Sequence, residues 1–318
     1  MGRSGTVKRF TEPVHMPIRL DIHQHLWPEP LLAALAGRTE APRLVREGAA
    51  WSLRLPGDPA APLDPAAHDP DSRAALMARD GIDRALIAPS SPLGLEALPP
   101  AEAEPLLAAY HEGVAALPEA FGAWAAVAVQ APDPAELDRQ LDAGRVGACL
   151  PADAMTGPAE LDRLGPVLET LERRGAPVLV HPGPAPSPAG RPSWWPALTA
   201  YVAGMQAAWY AWGLWGRPAH PRLRVCFAML AGLAPLHRER LVARGGRPAA
   251  HPLDFYDTSS YGTRALDAVL REVGVDQLVN GSDRPVVEPV PLALGDAVRV
   301  ALLERNPVRL IPTLETAA

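Results

Sequence analysis

The sequence predicts an α/β chain folded as a closed (β/α)8 TIM barrel with insertions after strands 1 and 5. Three observations carry that prediction. Short apolar runs of strand character recur eight times along the 318 residues, and segments of helical spacing separate them. No glycine-rich phosphate-binding turn follows the first run, as an open dinucleotide-binding sheet would require. Eight strand–helix units over this length suit ring closure better than an open sheet.

The first strand is read over residues 19–25, where Ile18, Leu20 and Ile22 alternate with other residues. The others follow over 84–88, 123–129, 146–150, 177–180, 224–228, 255–258 and 277–280. Helical spacing fills 72–80, 101–117, 134–143, 161–174 and 263–273. Asp71-Ser72 and Asp133-Pro134 supply helix-start chemistry, while Gly144, Gly175 and Gly274 fall where helices should stop. Residues 1–16 read as a flexible N-terminal segment and 17–318 as a single barrel domain. Residues 37–71, rich in proline, glycine and aspartate, form a capping insertion in which 50–55 alternates like a small strand. Residues 182–221 form a second insertion that holds five of the eight tryptophans. Loops after barrel strands rim the catalytic face, so both insertions are expected to cap the pocket. The tryptophans admit two readings: packing of a long helix against the barrel or a second copy in a homodimer, and contact with substrate.

Composition narrows the partners. A net charge of −6 argues against nucleic acid, and no apolar run reaches membrane length, which leaves a small-molecule substrate. The N-terminus carries basic residues without the apolar stretch of a secretory signal, so a cytoplasmic location is expected. Cys149 and Cys226 each lie in an apolar stretch and read as buried free thiols. Lys8 is the one lysine among 30 basic residues, and with 38 prolines this points to a GC-rich bacterial genome.

The chemistry centres on His23 and His25. Side chains on a strand change face at every residue, so two imidazoles two positions apart project to one side and make half a site for zinc or a similar cation. His181 ends the fifth strand and Asp283 the eighth. The ends of strands 1, 5 and 8 open onto one mouth, so three imidazoles and one carboxylate are expected to converge around a divalent cation. A cation there can lower the pKa of a bound water toward neutrality.

Asp21-Ile-His-Gln-His25, Val180-His-Pro-Gly183 and Asn280-Gly-Ser-Asp-Arg-Pro285 resemble the signatures of the amidohydrolase superfamily. They are most similar to its branch of amidohydrolase-related hydrolases and decarboxylases, relatives of aminocarboxymuconate-semialdehyde decarboxylase. Gly81-Ile-Asp-Arg-Ala-Leu-Ile87 resembles the second strand of that branch and Asn306-Pro-Val-Arg-Leu310 its C-terminal helix end, so the likeness spans most of 17–312. The resemblance implies His23, His25, His181 and Asp283 as metal ligands, with Asp283 also the catalytic proton shuttle. Zinc suits this donor set, and manganese or iron fits nearly as well. Many members hold a second metal through a carboxylated lysine on strand four; no lysine follows Lys8, so one metal is the expected complement.

One departure is sharp. Where the branch carries a histidine on strand six, in a stretch like Phe-Ala-His-Leu-Gly-Gly, this chain has Phe227-Ala-Met-Leu-Ala-Gly232, with Met229 in the histidine's place. Methionine accepts no proton at neutral pH. Three accounts compete: Asp283 works alone, His237 reaches in from the next helix, or the barrel has lost its activity and only binds a ligand or partner. Arg284 is a candidate to hold a substrate carboxylate or to form a rim salt bridge. Trp27 either walls the pocket or packs under the first loop. Asp257, Ser259, Ser260 and Tyr261 close strand seven, to bond substrate or cap a helix. His15, His68, His111, His220 and His251 read as structural or solvated. The reading favoured here is a mononuclear metal-dependent hydrolase acting on an amide, lactone or related bond of a small organic acid or aromatic substrate. Its alternative is a non-oxidative decarboxylase of an aromatic or unsaturated carboxylic acid.

Overall fold

The computed structural model describes residues 18–314, apart from 49, 186, 189 and 248–250. The N-terminal segment proposed for 1–16 lies outside the described residues.

Alternating apolar sequence makes short strands, in chain order β1 (Leu20–Gln24), β2 (Arg43–Glu47), β3 (Ala50–Arg54), β4 (Ala61–Leu63), β5 (Arg84–Ile87), β6 (Phe121–Ala123), β7 (Ala125–Ala126), β8 (Ala148–Pro151), β9 (Val178–His181), β10 (Val225–Phe227), β11 (Asp254–Asp257) and β12 (Leu278–Val279). All except β2, β3 and β4 form the barrel wall, pairing in parallel in the order β1-β5-β6 and then β7-β8-β9-β10-β11-β12. The ring closes between its first and last strands, where Ile22 N–H donates to Asn280 O at 2.9 Å.

The third strand is where the structure corrects the sequence reading. A single run was expected over 123–129; instead two short pieces, β6 and β7, flank Trp124 and begin two residues earlier. Pairing changes neighbour there: Trp124 N–H donates to Ile87 O on one side and Ala125 N–H to Gly147 O on the other. The Trp124 indole is fully buried and donates to Ile22 O at 2.8 Å, locking this joint to β1.

The helices fall close to their expected places, at Pro70–Asp80, Pro100–Ala115, Pro134–Asp142, Pro158–Arg174 and Thr263–Val273. Asp133 caps its helix by accepting from Ala135 N–H at 2.8 Å. The cap of Pro70–Asp80 is Asp69, which accepts from Ser72 N–H at 2.8 Å, not Asp71, because Pro70 takes the first helical position. Gly175 closes Pro158–Arg174 in the left-handed region, at φ 63°, where a β-carbon would be strained.

The first insertion folds as the antiparallel sheet β2-β3-β4. The second contains the helix Ala200–Ala211, which runs on as a wider-wound turn over Trp212–Gly216. Trp209 and Trp212 are buried against β11: the Trp209 indole donates to Tyr256 Oη at 3.0 Å and the Trp212 indole to Asp254 Oδ1 at 3.2 Å. For these two the packing reading holds. Trp194 and Trp215 are each about half exposed. The insertions meet where Asp58 of the first accepts from Ser187 N–H of the second. No helix among the described residues is long and apolar enough to cross a membrane.

Candidate metal centre

Strand β1 buries every one of its residues, including Asp21, His23 and Gln24, so its polar side chains must find partners inside the protein. For His23 and His25 the partners are each other, His181 at the end of β9 and Asp283 just past β12. One donor atom from each of the four lies within 4.8 Å of every other. His25 Nε2 is 3.2 Å from His23 Nε2, 3.2 Å from His181 Nε2 and 3.1 Å from Asp283 Oδ1. The three rings are mutually perpendicular, with interplanar angles of 90°, 88° and 89°, as three edges of a corner.

The opposite ring edges explain why these nitrogens face inward. His25 Nδ1 donates to Ala88 O at 3.0 Å and His181 Nδ1 to Pro182 O at 2.9 Å. Both acceptors are carbonyls, which carry no proton, so each ring holds its hydrogen on Nδ1 and turns an Nε2 lone pair to the centre. His23 Nδ1 lies 2.6 Å from Asp257 Oδ2. Lone pairs 3.2 Å apart repel, and the arrangement calls for positive charge between them.

The electrostatics agree. Burial pulls the His23 pKa down, but Asp257, Asp283 and Asp21 outweigh it and push it up to about 9 in the metal-free chain. Burial, with His23 and His25 alongside, holds His181 well below its ordinary value. Burial raises Asp283, yet its hydrogen bond to His25 and the neighbouring imidazoles bring it below the usual carboxylate range. A proton on His23 thus stands where a cation would sit. Three neutral imidazoles and one carboxylate fit a divalent metal by donor chemistry and by their fixed outer hydrogen bonds.

Asp257 was read as a substrate contact or helix cap; the structure gives it the supporting position behind His23. Its Oδ1 accepts from Met229 N–H at 2.9 Å, Ser259 N–H at 3.0 Å and the Ser259 hydroxyl. The helix Thr263–Val273 begins instead at Gly262 without a side-chain cap. Arg73 was missed altogether. Its buried guanidinium donates to Gln24 Oε1, His25 O, Arg284 O and Ala67 O, tying the first insertion to the rim of β1. Its place in a helix of polar aspect gave no sequence signal. Asp257, by contrast, was legible as a carboxylate at the end of a barrel strand.

The remaining candidates lie outside the four-residue cluster. Trp27 packs under the first loop: its indole stacks on His68 at 4.8 Å and donates to Ser90 Oγ at 2.7 Å. Arg284 forms ion pairs with Asp80 and Glu288. His237 is exposed on the surface, outside the cluster. Met229 is buried, and it opens a left-handed turn: Met229, Leu230, Ala231, Gly232 and Leu233 have φ of 53°, 49°, 55°, 60° and 64°. Non-glycine residues there cost of order 1 kcal/mol each, so the turn needs support, and its first N–H bonds Asp257 and Ser259. Cys149 and Cys226 are free and buried; Cys149 lies outside the cluster, and burial raises its pKa well above the ordinary range.

No family model and no curated protein matches the sequence. Solved structures do. IDCase from Metarhizium anisopliae matches with a TM-score of 0.76 at 19% identity, over 95% of this chain and 98% of that one. The 2,6-dihydroxybenzoate decarboxylase from Rhizobium matches with 0.65 at 19%, over 94% and 99%. The 5-carboxyvanillate decarboxylase from Novosphingobium aromaticivorans, with bound manganese and 3-methoxy-4-hydroxy-5-nitrobenzoic acid, matches with 0.70 at 14%, over 93% and 97%. This chain shares the fold of these structures. That fold agrees with the resemblance carried by the histidine and aspartate motifs, and it places the mouth of the barrel where the four donors meet.

Proposed function

We propose that this chain is a mononuclear, divalent-metal-dependent enzyme that decarboxylates an aromatic or unsaturated carboxylic acid without oxidation. The observation that carries the reading is the cluster itself: three imidazole nitrogens and a single carboxylate, Asp283, facing one point. Decarboxylation suits that inventory better than hydrolysis does. Hydrolysis calls for a proton to be taken from water and another step to deliver one to the leaving group; with Met229 in place of the branch's usual histidine and His237 exposed elsewhere, Asp283 would have to serve both. Decarboxylation calls for one proton delivered to carbon. The names of the similar structures, two of them aromatic-acid decarboxylases, support the same choice.

In this reading His23, His25, His181 and Asp283 hold the metal, which supplies positive charge for the substrate's carboxylate side. Asp283, ionised at rest, takes a proton from the incoming acid or its ring hydroxyl. The bond from carbon to the carboxylate breaks, carbon dioxide leaves, and the electron pair remaining on carbon takes the proton back from Asp283. His23 is kept in place by Asp257 throughout. Zinc follows from the donor set and manganese from the similar structure that contains it.

The test is carbon dioxide release from a panel of hydroxybenzoates by protein reconstituted with manganese or zinc, run beside an ester, amide and lactone panel. Release from at least one benzoate, lost in Asp283→Asn, is the expected result. Hydrolysis without decarboxylation would return the assignment to the hydrolase reading. Metal binding without turnover of either panel would leave a ligand-binding barrel.

A further inference from the structure

A cavity of about 560 Å3 adjoins the metal centre without including it: none of His23, His25, His181 or Asp283 lines it. Its walls come from β1, the helix Pro70–Asp80, the segment after β12 and the C-terminal helical region. Met77, Ile82, Leu292 and Leu302 make it apolar on several sides, and Arg284 and Arg299 bring two guanidinium groups to it.

Arg284 is closed off in an unusual way. Its side chain is 8% exposed, and Nη1 lies 2.8 Å from each oxygen of Glu288, while Nη2 donates to Asp80 at 2.8 Å. The Glu288 side chain is 83% exposed. A buried cation is therefore satisfied in part by a carboxylate that stands in solvent. The exposed Arg299 side chain makes no hydrogen bond or ion pair among the described residues, although its backbone N–H donates to Gly295 O at 3.1 Å.

We propose that this cavity binds a small carboxylate with an apolar body, whose head group takes the place of Glu288 on Arg284. One carboxylate replaces another, so the charge around Arg284 stays balanced. The displaced Glu288 returns to water, in which most of its side chain already stands. The apolar body gains by leaving water for the side chains of the cavity. A cavity of several hundred cubic ångströms is the size that small organic ligands occupy. Occupancy would be felt at the metal centre, since Arg284 follows Asp283 directly and its carbonyl accepts from His25 N–H at 2.6 Å. The proposal does not depend on which reaction the metal centre performs.

The test is calorimetric titration with octanoate and 3-phenylpropionate, in chelator, so that no metal can hold the carboxylate. Wild type is compared with Glu288→Gln, which removes the resident competitor from an exposed position, and with Glu239→Gln, the same charge change on the helix Arg238–Ala243, away from the cavity lining. Glu288→Gln is expected to bind at least one probe about tenfold more tightly than wild type, the equivalent of one charge-assisted contact freed. Glu239→Gln should match wild type, and His181→Ala should bind as wild type does. Equal affinity in wild type and Glu288→Gln would overturn the proposal. So would equal tightening by Glu239→Gln, loss of binding in His181→Ala, or no saturable binding to any of the four proteins.

Discussion

Asp257 Oδ2 lies 2.6 Å from His23 Nδ1, and that contact decides which nitrogen of His23 faces the cluster. Asp257 is otherwise an acceptor, from Met229 and Ser259, so it cannot turn away without leaving several donors unpaired. In Asp257→Asn one acceptor oxygen becomes a donor. Metal affinity is expected to fall by about 10- to 100-fold, the usual cost of losing a group that orients a histidine ligand. Competition against a chromophoric chelator measures it, and an unchanged affinity would count against the positioning role.

Removing the metal should loosen the fold as well as silence the site. The Nε2 atoms of His25 and His181 stand 3.2 Å apart with nothing but charge to reconcile them. Metal at a hundredfold above its dissociation constant adds about 2.7 kcal/mol to stability. Thermal unfolding with manganese or zinc against chelator should show the corresponding upward shift, and His181→Ala should abolish it. A shift of equal size in that variant would place the stabilising metal elsewhere.

Arg73 donates to four oxygens from three separate segments, and none of the four belongs to a carboxylate. A lysine cannot span them, because its ammonium lacks the planar fork. Arg73→Lys is expected to cost on the order of 2–4 kcal/mol in urea unfolding, through buried acceptors left unpaired. A loss within about 0.5 kcal/mol, the range of ordinary surface changes, would show that the first insertion is held by other contacts.

His111 offers a pH test away from the metal ligands. Burial lowers its pKa to about 4, against the opposing pull of Glu136, and its Nε2 accepts from Ala126 N–H at 3.0 Å. The unfolded chain protonates this residue near pH 6.5, whereas the folded one does so only near 4. Between those values the unfolded state binds more protons, so stability is complete above about 6.5 and falls as the pH drops toward 4, by roughly 3 kcal/mol at most from this residue. His111→Gln, which keeps an acceptor for Ala126, should flatten that part of the stability curve. An unaltered slope would mean that His68, lowered similarly by burial, carries the effect instead.

Much of the barrel was legible because its strands and helices obey local rules. Apolar alternation marks each strand, and the helix Thr263–Val273 sits at the expected residues. The joint at Trp124 was not legible, since it depends on which neighbour each half of the strand meets. The four donors were readable from His23 and His25 on one strand face and from strand ends that share a mouth. Asp257 could be seen but not assigned, because His23 is most of the chain away. Arg284 shows the opposite limit: its neighbour in sequence is Asp283, yet its partners are Asp80 and Glu288. Adjacent side chains leave the backbone in different directions, and only the folded chain tells where each arrives.

The ring is sealed by its two extremes, Ile22 against Asn280, and the cation's seat draws on both. Synthesis proceeds from one end to the other, so His23 and His25 leave the ribosome long before Asp283 exists. Until the last strand docks, a nascent chain offers only two or three imidazoles without their carboxylate. The complete set of four donors is therefore assembled only when the end of the chain has closed the ring on its beginning.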